Sequence, residues 1–528
     1  MKRILLFFIC IPLLVQSQNN QEKPKLVVGI VVDQMRFDYI QRFWDDFSDE
    51  GFKKLINQGH FFRNTRFGYV PTYTGPGHAS IFTGTTPSMH GIIANNWYDK
   101  NTEELIYCAG DGSTHTICNC ENNVNDVLSE DGKMSPKHML TTTIGDEIKL
   151  FNSNSKVIGI SLKDRGAILS AGHSANAAYW MDKHGEWITS SYYMKNLPQW
   201  LIEYQSKISV SKYLKGNWYY KDIFNHSLDS ILINDGAGGI KVTPMGNTIL
   251  KDLALEIIKN EKMGQKEDVD MLTISFSSTD YIGHKYGPHA NEIKDTYIKL
   301  DKDISELLKH IDKNNSIVFL TADHGVVSEP HELIERKIPA GYFDKKEMIK
   351  SLNEHLNKKF IDKSMITPKS WIKNFSNLQV FLDHELIAQS SFSLKDFQET
   401  CAEFVLNVDG VKNTFTRYQM MNTSQHSSST RTLIQNGFNP KRSGDVIIVL
   451  QTGWISNSWE KGGTTHGSSY SYDTHVPLIF WGGMIPKGKT DRLVNIRDIA
   501  PTISTILGIS YPNGCTGNPL PEVTQWRK

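Results

Sequence analysis

Leu26-Val27-Val28-Gly29-Ile30-Val31-Val32 is an unbroken apolar run that stops abruptly at Asp33. A strand with one face in water alternates apolar and polar residues. A run without alternation predicts a strand covered on both faces, as in a parallel sheet. The same form recurs along the chain. Val157 to Leu162 stops at Lys163, Met271 to Phe276 leads through three hydroxyl residues to Asp280, and Ser316 to Leu320 leads to Asp323. Val446 to Leu450 and Pro477 to Trp481 complete the set. Amphipathic stretches lie between them, such as Thr248 to Asn260 and Glu292 to Ile311. Strands alternating with helices predict an α/β fold of three layers, α/β/α, around a mainly parallel sheet. Ligands in such folds sit beyond the carboxyl ends of the strands, where Asp33, Lys163, Asp280 and Asp323 fall.

At 528 residues the chain is too long for one simple core. One catalytic domain over 24–528 is expected, with subdomains inserted near 96–150, 171–245 and 326–445. The first carries cysteines and loop-forming residues, the second is rich in Tyr and Trp, and the third is lysine-rich.

Lys and Arg together number 57, as do Asp and Glu, so the net charge is zero. That balance gives no sign of the basic surface a nucleic-acid binder needs. Lys2 and Arg3 precede the apolar run Ile4 to Val15, and Ser17 and Gln18 follow. This pattern predicts a secretory signal over residues 1–18. The run is shorter than the roughly 20 residues of a membrane span. The mature chain is therefore expected outside the cytoplasm, periplasmic or secreted, without a stable membrane anchor. Removing Cys10 leaves Cys108, Cys118, Cys120, Cys401 and Cys515, an odd number. A disulfide within the Cys108–Cys120 loop suits an oxidising compartment. A zinc site there would lack a fourth ligand.

Six further residues can bind metal. Asp280 and His284 are four apart, which puts both on one face of a helix; a simple ion pair is the alternative. Asp323 and His324 end a strand and precede Gly325. Asp33 ends the first strand, where a helix cap is the alternative. His466 lies in Gly462-Gly463-Thr464-Thr465-His466-Gly467, a loop able to approach a ligand closely. His475 competes with it but leads straight into a strand. Carboxylates and imidazoles together suit zinc. Thr74 opens Thr74-Gly75-Pro76-Gly77-His78, which reads as a helix start. Backbone N–H groups and the positive end of the helix dipole favour a phosphate there. Threonine is a weak nucleophile until a metal or a base activates it.

In this order, Asp33, Thr74, Asp280-x-x-x-His284, Asp323-His324 and His466 resemble the alkaline phosphatase superfamily over residues 26 to about 510. The resemblance implies two Zn2+ per chain: Asp280, His284 and His466 on one, and Asp33, Asp323, His324 and the Thr74 oxygen on the other. Thr74 would be the nucleophile, passing through a covalent phosphothreonine. Thr74 to His78 and His90 to Asn95 are similar to nucleotide pyrophosphatase/phosphodiesterases, and Asn95 would bind a phosphoryl oxygen. Ser161 to Gly166 resembles the phosphate-irrepressible, PafA-type bacterial alkaline phosphatases, in which Lys163 and Arg165 would hold the other oxygens. Two cations at one strand end suit a monoester dianion. The expected substrates are thus phosphate monoesters of broad range, releasing inorganic phosphate, with no nucleic-acid partner and a monomeric chain. A phosphodiesterase and a non-catalytic exported metal- or phosphate-binding protein are the alternatives.

Overall fold

The computed structural model describes residues 23–119, 129–360, 370–422 and 429–525. The expected signal, 1–18, and Cys120 lie outside them.

The unbroken apolar runs form the middle of an eleven-stranded sheet. In chain order its main strands are β1 (Leu26–Val32), β2 (His60–Arg66), β3 (Val157–Ser161), β4 (Ala177–Met181), β5 (Trp187–Ser190), β6 (Asp270–Phe276), β7 (Ser316–Thr321) and β8 (His475–Gly482). Their spatial order is β2-β8-β7-β1-β6-β3-β4-β5. The five from β7 to β4 are parallel. β8 runs antiparallel to both β7 and β2. Every residue of β1, β3, β6 and β7 is buried, as expected where helices cover both faces. The α/β/α architecture and the mainly parallel sheet are those expected.

Two segment assignments need correction. Val446–Leu450 is not a core strand. It pairs antiparallel with Gln379–Leu382 and Val411–Thr416 in a separate four-stranded sheet. That sheet packs with helices Lys345–Phe360 and Leu394–Leu406 around its own core, including Leu352, Trp371, Phe397 and Ile448. The inserted unit therefore runs past residue 445. The stretch near 171–245 begins inside the main sheet, because β4 and β5 extend it. Within 96–150 a hairpin, Asn96–Tyr98 with Leu105–Tyr107, precedes a short strand, Thr116–Ile117, that pairs with β5 at the sheet edge.

Three helices frame the strand ends: α1 (Thr74–Thr83), α2 (Asp164–Ala171) and α3 (Ser278–Tyr286). A side chain on Gly77 of α1 would place its Cβ 2.5 Å from the Asp323 carbonyl oxygen. The glycine lets the helix start lie directly on the end of β7.

Candidate active site

Because β7, β1, β6 and β3 are neighbours, their polar ends lie side by side. Asp323 and His324 follow β7, Asp33 follows β1, Asp280 and His284 lie one turn apart on α3 after β6, and Lys163 sits between β3 and α2. His466 arrives from the loop before β8. Ligand atoms of Asp280, His284 and His466 lie within 4.8 Å of one another, as do those of Asp33, Asp323 and His324.

The three histidines are oriented alike. Nδ1 of His284 meets the Thr464 carbonyl at 2.6 Å, Nδ1 of His324 meets that of Gly325 at 2.9 Å, and Nδ1 of His466 meets that of Thr72 at 2.7 Å. A carbonyl only accepts, so each Nδ1 carries a proton and each Nε2 is turned away from that bond. Burial lowers the His284 pKa, but Asp280, 3.1 Å from its Nε2, outweighs burial and raises it. Burial holds the His324 pKa down to about 3. Burial, and then the His324 ring stacked 3.5 Å away, hold that of His466 well below the ordinary range.

The carboxylates are under opposite pressure. Burial first, then repulsion from Asp280, raises the pKa of Asp33; burial and then Asp33 raise that of Asp323. Asp33 Oδ1 and Asp323 Oδ2 are buried without hydrogen-bond partners, 3.4 and 3.6 Å from His324 Nε2. Burial opposes the charge of Asp280 too, but His284 and Lys163 outweigh it and hold its pKa well below the usual range. Unpaired buried carboxylate oxygens are costly, and imidazoles presenting Nε2 beside them complete an N/O donor set. The residues fit divalent cations.

Lys163 donates to Asp33 Oδ2 at 2.6 Å and to Asp280 Oδ2 at 2.5 Å. It is buried, not on the surface. Gln34 also joins the two groups: its N–H donates to Asp323 Oδ1 at 3.1 Å and its side-chain amide to Asp280 Oδ1 at 2.6 Å. To do so it adopts φ of 65°, a region unfavourable for a residue with a side chain.

Tyr73 is the N-cap of α1 and its side chain makes no capping bond; Thr74 is the first helical residue. Thr74 Oγ1 lies 3.5 Å from His324 Nε2. His78, one turn on, bonds the Thr74 carbonyl and Ser275 Oγ and is fully buried. Asn95 Oδ1 accepts from the Gly75 N–H at 2.7 Å, which leaves its amide nitrogen to donate. Arg165 donates through Nη1 to Tyr107 Oη at 3.2 Å, and Tyr107 donates to Asp164 Oδ1 at 2.5 Å. His475 is outside the site, stacked on Phe37 at 4.1 Å. Cys118 is disulfide-bonded, and Cys108 is a buried free thiol.

All six expected ligand residues and Thr74 are thus neighbours. Gln34 and Tyr107 are additions that spacing did not reveal. Gln34 adjoins Asp33, but its role depends on its φ. Tyr107 reaches α2 only through the folded hairpin.

The pattern of the Type I phosphodiesterase / nucleotide pyrophosphatase family matches residues 27–472. A Myroides odoratus protein named "Calcium-transporting ATPase" is 40% identical over 97% of this chain and 96% of its own. Alkaline phosphatase PafA of Elizabethkingia meningoseptica is 35% identical over 96% of each chain. A crystal structure of wild-type PafA superposes with a TM-score of 0.85, covering 95% of this chain and 99% of that one. The chain therefore belongs to the type I phosphodiesterase / nucleotide pyrophosphatase family, among its PafA-like alkaline phosphatases.

Proposed function

We propose that the protein is an exported phosphate-monoester hydrolase with Thr74 as its nucleophile. One observation carries the reading: Thr74 Oγ1 lies 3.5 Å from His324 Nε2, beside two adjacent Asp/His groups joined by Lys163. Asp280, His284 and His466 would hold one Zn2+, and Asp33, Asp323 and His324 the other. When bound, the pair supplies the positive charge that lowers the pKa of the Thr74 hydroxyl and steadies the departing oxygen.

Thr74 Oγ1 attacks phosphorus as the bond to the ester oxygen breaks, leaving the alcohol and a phosphothreonine. Water then attacks from the face the alcohol left, the Thr74 oxygen departs, and inorganic phosphate is released. Two in-line displacements retain configuration. Asn95 donates to one phosphoryl oxygen, and Arg165, aimed by Tyr107, takes others with its fork. Formal charge favours a monoester. Three carboxylates and Lys163 sum to −2, two divalent cations would add +4 to make +2, and Arg165 would raise the site to +3. A dianion meets that excess better than a diester monoanion.

The family's phosphodiesterase name supports a second reading, diester hydrolysis. Rates for phenyl phosphate and methyl phenyl phosphate, measured with metal content on one purified sample, decide between them. The monoester is expected to react much faster, and Thr74→Ala to abolish both reactions. A diester preference overturns the proposal. No helix among the described residues is long and apolar enough to cross a membrane.

A further inference from the structure

A cavity of about 260 Å³ lies between the core and the four-stranded insert. Its walls include Tyr73, Phe438, Val449, Trp454, Trp459 and His466. We infer that this cavity receives the alcohol portion of the substrate, so that the favoured monoesters are those of compact aromatic alcohols. The inference rests on the phosphomonoesterase reading above.

Direction of attack is the first argument. Thr74 Oγ1 stands beside His324, on the Asp33/Asp323/His324 side of the site. In-line displacement puts the leaving oxygen opposite the nucleophile, toward Asp280, His284 and His466. The cavity borders that side. His466 is part of its wall, and Trp459, also in the wall, stacks on the His284 ring at 5.2 Å and 10°. Tyr73, next to the nucleophile in sequence, meets His466 edge-on at 5.6 Å. An alcohol leaving toward this group of three therefore has apolar and aromatic walls beside it.

Size and lining are the second argument. An apolar cavity of about 150 Å³ in another protein holds benzene, so this one has room for a fused two-ring system. Aromatic walls favour stacked and edge-on contacts with a ring. The wall also contains Asp473, which is fully buried. Its Oδ2 accepts from the N–H groups of Gly467 and Ser468 at 3.1 and 2.7 Å, while Oδ1 has no partner.

The test compares phenyl phosphate with 2-naphthyl phosphate, whose leaving groups are of similar basicity. In the full-length metal-loaded enzyme the naphthyl ester is expected to have a kcat/KM roughly tenfold higher, from the extra apolar area removed from water. Val449→Trp, which fills the cavity from the insert side, is expected to erase that ratio. An unaltered ratio in a folded variant overturns the inference. Should the variant not fold, product inhibition of the wild type decides. 2-Naphthol is expected to compete with substrate about tenfold more tightly than phenol. Equal inhibition constants, or naphthol inhibition that does not compete with substrate, overturn the inference. If the wild type hydrolyses neither ester, the phosphomonoesterase reading itself has failed.

Discussion

Tyr107 and Gln34 are where single side chains tune the site. The pKa of Arg165 is well above its ordinary value: burial opposes its charge, but Tyr107 and then Asp164 outweigh that. Its Nε is buried without a partner, so the Tyr107 hydroxyl is a main restraint on the fork. Tyr107→Phe removes only that hydroxyl. A lost hydrogen bond to a charged group costs about 1.5–3 kcal/mol, so kcat/KM for a phenyl monoester should fall at least tenfold and that for the diester less. Equal losses would show that the hydroxyl matters only to folding. Gln34 holds one carboxylate from each metal-binding group. Groups that orient ligands typically set 10–100-fold of metal affinity. Gln34→Ala should weaken zinc binding by about that factor in competition with a chelator, a readout independent of turnover. Asp303 offers a test away from the site. Burial raises its pKa to about 7 despite a bond from Thr248 Oγ1. The folded state therefore favours the protonated acid, and ionisation opposes folding increasingly as pH rises from about 4 through 7. Asp303→Asn should stabilise the protein on the order of 1 kcal/mol more at pH 8 than at pH 5, seen as a larger rise in Tm at pH 8.

At the scale of elements, the sequence was readable wherever burial was symmetric. β1, β3, β6 and β7 are covered on both faces, so their sequences are continuous apolar runs that end where the site begins. β2 was not legible, because Arg63 is exposed and Asn64 and Arg66 are partly so, which breaks the apolar run. β4 and β5 were masked by a Tyr- and Trp-rich stretch that reads as an insert. Val446–Leu450 misled for the opposite reason: an apolar run says that a strand is buried, not in which sheet. The six Asp/His candidate ligands were legible because strand ends and i, i+4 helix spacing place them. Gln34 and Tyr107 depend on a backbone angle and on hairpin docking, which spacing does not encode. The seat of α1 is such a feature too, and it is testable. In Gly77→Ala the new Cβ would meet the Asp323 carbonyl oxygen at 2.5 Å and its Cβ at 2.7 Å. The helix start must move, and Thr74 with it. A misplacement of about 1 Å can cost on the order of 100-fold in rate, so kcat should collapse while circular dichroism stays native.

For the molecule as a whole, the same constellation that does chemistry is a liability to folding until it is filled. Asp33, Asp280 and Asp323 are buried together, and among them Lys163 is the lysine that bonds two. They come from three different strand ends, and His466 is brought by the loop before β8. Metal bound across these groups would tie the ends of β1, β6 and β7 to that loop. Ligand that binds only the folded chain stabilises it by about 2.7 kcal/mol at 100 times its dissociation constant and by about 4.1 at 1,000 times. Removing metal with a chelator should therefore lower Tm, and added zinc should restore it in a concentration-dependent way. Asp280→Asn and Asp323→Asn should each shrink that zinc-dependent rise, since each deletes a ligand from one group. Asp323→Asn should nevertheless raise the Tm of the chelated protein, since burial opposes that carboxylate's charge, whereas Asp280→Asn should lower it, since His284 and Lys163 stabilise the Asp280 charge. For Asp323, opposite signs in the two conditions would separate a metal ligand from a carboxylate that merely supports the fold, and a uniform fall in both would identify the latter.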